Sequence, residues 1–103
     1  MSGPFLETIP KGFLSGEINI SDSATQLSDI DCQMAMLQAL PGNTGNVYIG
    51  IAGVTVAEGT ADETSGFCLT PGDMSPWIPC ENLSDLYAIA ATADDDLIYF
   101  LVL

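Results

Sequence analysis

Apolar and polar positions along this chain alternate in short runs, and turn formers interrupt them about every ten residues, a spacing that predicts an all-β fold. The segment FLSGEINI (residues 13–20) reads as a first strand with Ile18 and Ile20 on one face, and Ser21, Asp22 and Ser23 then turn the chain. A short strand or bend follows over residues 24–27. Val47, Ile49 and Ile51 place VYIGI (47–51) on a further strand, which residues 54–56 continue after Gly53. Residues 67–69 form a short strand closed by the turn Thr70-Pro71-Gly72-Asp73, where proline presets φ. Trp77 and Ile78 lie between Pro76 and Pro79, which restricts that ribbon to a sheet edge. After a turn at Asn82, Ser84 and Asp85, residues 86–91 and 97–103 are expected to pair as a hairpin across 92–96. Seven or eight strands in roughly ninety residues predict an antiparallel β-sandwich, with jelly-roll connectivity the favoured arrangement.

Two segments leave alternatives open. In CQMAMLQAL (32–40), Met, Ala, Leu and Gln favour helix, with Asp29 or Asp31 as an N-cap and Pro41-Gly42-Asn43 as a stop. The same residues place Cys32, Met34, Met36 and Leu40 on one face of a strand. The last strand, LIYFLVL, is apolar at both parities, whereas an exposed strand of one layer alternates. It is therefore a central strand covered on both sides, or a strand with one face buried against another chain; the second is favoured because a domain this small has few layers.

Residues 1–12 contain Gly3, Pro4, Pro10 and Gly12, which block regular helix and predict an extended arm ahead of one domain over 13–103. Phe5, Leu6 and Ile9 are apolar groups with little local core to join, so the arm is expected to dock on a neighbour or on its own domain. The chain of 103 residues is too short for a second core. No basic start followed by an apolar run marks a signal peptide, and the apolar stretch at 97–103 is too short to span a bilayer.

Charge narrows the function classes. The net charge of −13 comes from 14 carboxylates against one basic side chain, Lys11. Binding to nucleic acid or to an anionic membrane needs several cations, so both are excluded as expectations. Apolar residues make up 48% of the chain, which argues against disorder. The absence of histidine removes the usual base of a Ser or Cys triad, and no cofactor is expected. A carboxylate pair drawn from Asp22, Asp29, Asp31 or Glu58 has an accidental pairing as its simpler explanation. Asp94-Asp95-Asp96 offers oxygen ligands for Ca²⁺ without the spacing of a known loop, and reads first as a hairpin tip. Cys32, Cys68 and Cys80 form no CxxC and read as buried structural thiols, with one intrachain disulfide as the alternative.

From Leu37 onward the chain resembles the small decoration, or head-surface, proteins of tailed bacteriophages. The residues that carry the resemblance are LQALPGNTGNVYIG (37–50), GFCLTPGD (66–73) and LSDLYAIAATADDDLIYFLVL (83–103), in that order. The resemblance implies a β-sandwich, many copies per particle and a seat on the major capsid protein. It also favours strand for residues 32–40. The implied role is structural and non-enzymatic: a cement protein made in the bacterial cytoplasm that bridges capsid subunits on the outer surface of the head. An outer position suits the charge, because packed DNA inside the shell would repel it. A homo-oligomer, a trimer, is expected from the apolar last strand. The candidate contact residues are Phe5, Leu6, Ile9, Trp77, Ile78, Tyr99, Leu101 and Leu103. A virion-surface or tail-associated module that recognises a glycan or receptor is the alternative, with Trp77 as its stacking platform.

Overall fold

The computed structural model describes residues 12–56 and 64–103. Eight strands follow one another: β1 (Phe13–Ile20), β2 (Thr25–Gln26), β3 (Met34–Ala39), β4 (Val47–Gly50), β5 (Phe67–Leu69), β6 (Ile78–Pro79), β7 (Tyr87–Ala90) and β8 (Asp95–Val102). The one helical element among the described residues is a 3-10 turn, Leu83–Asp85. The strands form two four-stranded sheets, ordered β1-β8-β3-β6 and β2-β7-β4-β5. Every strand pairing is antiparallel. β1 pairs with β8, β2 with β7, β3 with β6 and β4 with β5, so the chain runs as a double ribbon folded back on itself. The sheets are completed where β8 also pairs with β3, and β7 with β4.

The inward residues of both sheets merge into one core. Ile20, Leu37, Leu97 and Leu101 come from the first sheet and Val47, Ile49, Leu69, Ala88 and Ala90 from the second, with Leu27 and Leu83 added from the connections. Burying each large side chain of this set contributes about 1.5–3 kcal/mol. Across β3 and β8 two small residues stand opposite large ones, Ala35 facing Leu101 and Ala39 facing Leu97, on either side of the large pair Leu37 and Tyr99. That alternation of volume fills the layer without strain.

Residues 34–39 are thus a strand, and the core takes its odd positions. Ala35, Leu37 and Ala39 are buried, while Met34 and Met36 of the expected face are half-exposed on the other side. The flexible methionines would overfill a layer already occupied by the leucines of β8. β7 and β8 succeed each other but do not pair, contrary to the expected hairpin. β7 lies between β2 and β4, and β8 between β1 and β3. The connection, with Asp94 in the left-handed region (φ 69°), carries the chain from one sheet to the other. β4 ends at Gly50, one residue short of the expected strand over 47–51. The chain reverses over 51–53, with Gly53 at φ 80°, and leaves Ile51 63% exposed.

The edge strand β1 is stitched to β8 by an unusual pair. Gly16 stands directly opposite Tyr99, and the phenol lies over the glycine so closely that a Cβ there would sit 2.3 Å from Tyr99 Oη. The ring covers backbone that glycine leaves bare, a cross-strand compensation that suits an edge. At the other end of β8, Asp95 is buried and accepts hydrogen bonds from the backbone N–H groups of Thr44 (2.9 Å) and Gly45 (2.8 Å). This carboxylate holds the loop over residues 40–46 against the start of β8. Asn43 reinforces it, donating to the Asp96 carbonyl and accepting from the Asp96 N–H.

Candidate functional site

Once Leu97 and Leu101 face the core, the even positions of β8 must face outward, because side chains alternate along a strand. The registers then lay out the outer face of the first sheet in rows. Phe13, Val102, Met34 and Pro79 share one row. Ser15, Phe100 and Met36 share the next, and Glu17, Ile98 and Gln38 the third. Phe13 and Phe100 are stacked, with ring centroids 5.1 Å apart, and Trp77 leans on Phe100 from the β6 side at 5.9 Å. Phe13 is 70% exposed and Trp77 39%, and Met74, bridged to Gln38 at the end of the third row, is 57% exposed. An exposed cluster of this kind, built from three aromatic rings and methionines, is what protein contact surfaces are enriched in.

The β1 end of the face near Ile20 is acidic. Asn19 donates to Asp96 across the strand pair at 3.0 Å, and Asp96 is also beside Glu17. Hydrogen bonding and charge repulsion from Asp96 hold the Glu17 carboxyl above its ordinary value of 4.5. The face therefore grades from aromatic to anionic along β1 and β8.

The aspartate run 94–96 is divided among separate tasks. Asp94 makes the left-handed turn, Asp95 clamps the loop at Thr44 and Gly45, and Asp96 belongs to the acidic end of the outer face. Among the described residues no group of His, Cys, Asp or Glu is arranged to hold a metal. Asn82 plays a comparable part at the opposite end of the molecule. It accepts from Ser84 N–H and Ile30 N–H and donates to Asp29 and Asp31.

Of the contact residues expected from sequence, Trp77 lies on the outer face. Ile78, Tyr99 and Leu103 are half-buried and packed against the core, and Leu101 is wholly inside it. Phe5, Leu6 and Ile9 lie outside the described residues. Sequence reasoning missed Phe13, Met34, Met36, Ile98, Phe100 and Val102. Parity alone separates Tyr99 and Leu101 from Phe100 and Val102, and a strand apolar at every position carries no parity signal. The thiols also differ from expectation, since Cys68 is exposed and Cys32 and Cys80 are half-buried. Comparison with family models, with curated proteins and with solved structures found no match to the chain.

Proposed function

We propose that this is a non-enzymatic virion structural protein, a decoration protein on the outer surface of a phage head. In this reading the outer face of the β1-β8-β3-β6 sheet seats the protein on the major capsid protein and bridges adjacent subunits. The observation that carries it is the surface cluster in which exposed Phe13 and Trp77 flank half-buried Phe100, on a molecule otherwise rich in carboxylates. A chain with a net charge of −13 has ample means to keep a surface solvated, so an aromatic face left open favours a contact over solvent. The resemblance of residues 37–103 to phage decoration proteins points the same way. The strand pairings β1·β8, β2·β7, β3·β6 and β4·β5 support a jelly-roll sandwich as the finer description of the fold. Three copies around a three-fold position of the shell are the proposed assembly, where repeated contacts raise avidity.

A module for a glycan or receptor is the second reading, favoured by one feature: the accessible Trp77 ring beside Phe100. Heads prepared with and without the protein, heated and then sedimented, test the choice. A cement protein raises the temperature at which heads break. Unchanged shell strength together with weaker adsorption to host cells would overturn the structural role and favour the receptor reading.

A further inference from the structure

Cys32 and Cys80 are 48 residues apart in sequence, and the fold brings their sulfurs to 3.5 Å. Cys32 sits between the Asp31–Asn82 bridge and β3, and Cys80 follows directly on β6. The backbone around them is fixed. Cys32 N–H donates to the Glu81 carbonyl (3.0 Å), Cys80 N–H to the Gln33 carbonyl (3.4 Å) and Gln33 N–H to the Val102 carbonyl (2.7 Å). A disulfide needs sulfurs about 2.0 Å apart, so closure asks for about 1.5 Å of approach, which side-chain rotation supplies between strands already held together. Both thiols are half-buried, within reach of a small reagent.

We propose that Cys32 and Cys80 are a built disulfide site, two thiols in reducing surroundings that close into an intrachain crosslink by exchange with a small-molecule disulfide such as oxidised glutathione. The Cys32 thiolate attacks one glutathione sulfur, forming a mixed disulfide and releasing one glutathione thiolate. Cys80 then loses its proton and attacks the Cys32 sulfur, and the second glutathione leaves and is protonated. Two protein thiols are oxidised to one disulfide, and one glutathione disulfide is reduced to two thiols. Burial, then the hydrogen bond and charge of Cys32 and the charge of Asp85, push the Cys80 thiol up to about 12. Burial, the first of these causes, slows attack by Cys80, and the crosslink formed is the same whichever sulfur attacks first.

The crosslink has a structural consequence. β6 pairs with β3 through Ile78 and Pro79 alone, and Pro76 and Pro79 remove donors from this edge. Closing the pair adds a covalent link at the Cys80 end of the ribbon that carries Trp77, beyond the Ser75 N–H to Leu37 and Cys80 N–H to Gln33 hydrogen bonds that hold it to β3.

The test uses the Cys68→Ser chain, which removes the exposed third thiol, treated with oxidised glutathione at about pH 8.5, where thiolate is available. The expected product has lost two hydrogens by intact mass, carries no glutathione and yields one crosslinked peptide pair holding Cys32 and Cys80. Its melting temperature rises by about 5–15 °C over the reduced form, a rise absent when Cys32 is also replaced by serine. Two glutathione adducts, or two thiols still reactive after overnight treatment, would overturn the proposal.

Discussion

The ring of Phe13, at the start of the edge strand, is stacked on Phe100 of the central strand with an interplanar angle of 28°. Neither ring belongs to the core, and Phe13 keeps most of its surface open to solvent. An aromatic pair contributes about 0.5–1.5 kcal/mol beyond its area burial, so this pair fastens the end of β1 while leaving the face free for a partner. Phe13→Ala should therefore lower unfolding stability by no more than about 1.5 kcal/mol in a urea titration. A larger loss would place Phe13 in the folding core.

Gly16→Ala should cost more than its edge position suggests. The new methyl would meet Tyr99 Oη at 2.3 Å and Cζ at 2.5 Å, which forces the phenol out of place. A loss of about 1–3 kcal/mol is expected in the same titration. Adding Tyr99→Phe should not restore stability, because the ring carbon still clashes when the hydroxyl is gone. Full rescue would show that the hydroxyl alone is the obstacle.

Asp95→Ala should cost about 2–4 kcal/mol, because the amides of Thr44 and Gly45 lose a buried charged acceptor. Asp95→Asn keeps one carbonyl acceptor and should lose less. Hydrogen exchange locates the effect: the Thr44 and Gly45 amides should lose protection in the alanine variant while the amides of β4 keep theirs.

The Glu17 carboxyl has its pKa raised by Asp96, so it binds its proton more tightly folded than unfolded. Its contribution favours the folded state below the unfolded value, near 4.5, and is lost as pH rises through the raised folded value. Glu17→Gln removes that loss. The variant should match the parent chain below pH 4.5 and be the more stable of the two at neutral pH, with the gap narrowing in high salt. Thermal melts across pH 3–8 check this expectation; a parent chain more stable at neutral pH would contradict it.

Much of the strand layout was legible because turn formers punctuate the chain. Ser21-Asp22-Ser23, Pro41-Gly42-Asn43 and Thr70-Pro71-Gly72-Asp73 each close a strand near where the sequence places its end. Pairing was not legible. Succession made β7 and β8 look like a hairpin, whereas the buried alanines of β7 fit against Val47 and Ile49 of β4. The face of β8 was hidden for a different reason: Leu97–Leu103 is apolar at every position, and only its register with Ile18 and Ala35 tells which side is core. Which two of the three thiols meet was not legible, because Cys32 and Cys80 come together only through the folding of β6 onto β3.

Attachment through an aromatic face should withstand salt. Screening shortens the reach of exposed charges from about 10 Å at 0.1 M to about 3 Å at 1 M, while burial of apolar surface is not weakened that way. Heads carrying the protein should keep it through sedimentation at high salt, and release there would say that the carboxylates hold it to a basic shell.

The most direct measurement compares two carboxylates placed on opposite sheets. Phe13 is 70% exposed on the outer face of the first sheet, whereas Phe67, 56% exposed, lies at the edge of the second sheet in register with Ile49. Binding of Phe13→Asp and Phe67→Asp to undecorated heads, read by co-sedimentation beside the parent chain, separates the outer face of the first sheet from an exposed aromatic site away from it. A loss of at least about tenfold is expected for Phe13→Asp, since burying an added charge costs more than about 1.4 kcal/mol, with parent-like binding for Phe67→Asp. Parent-like binding by Phe13→Asp, with or without a loss for Phe67→Asp, would contradict attachment through the outer face.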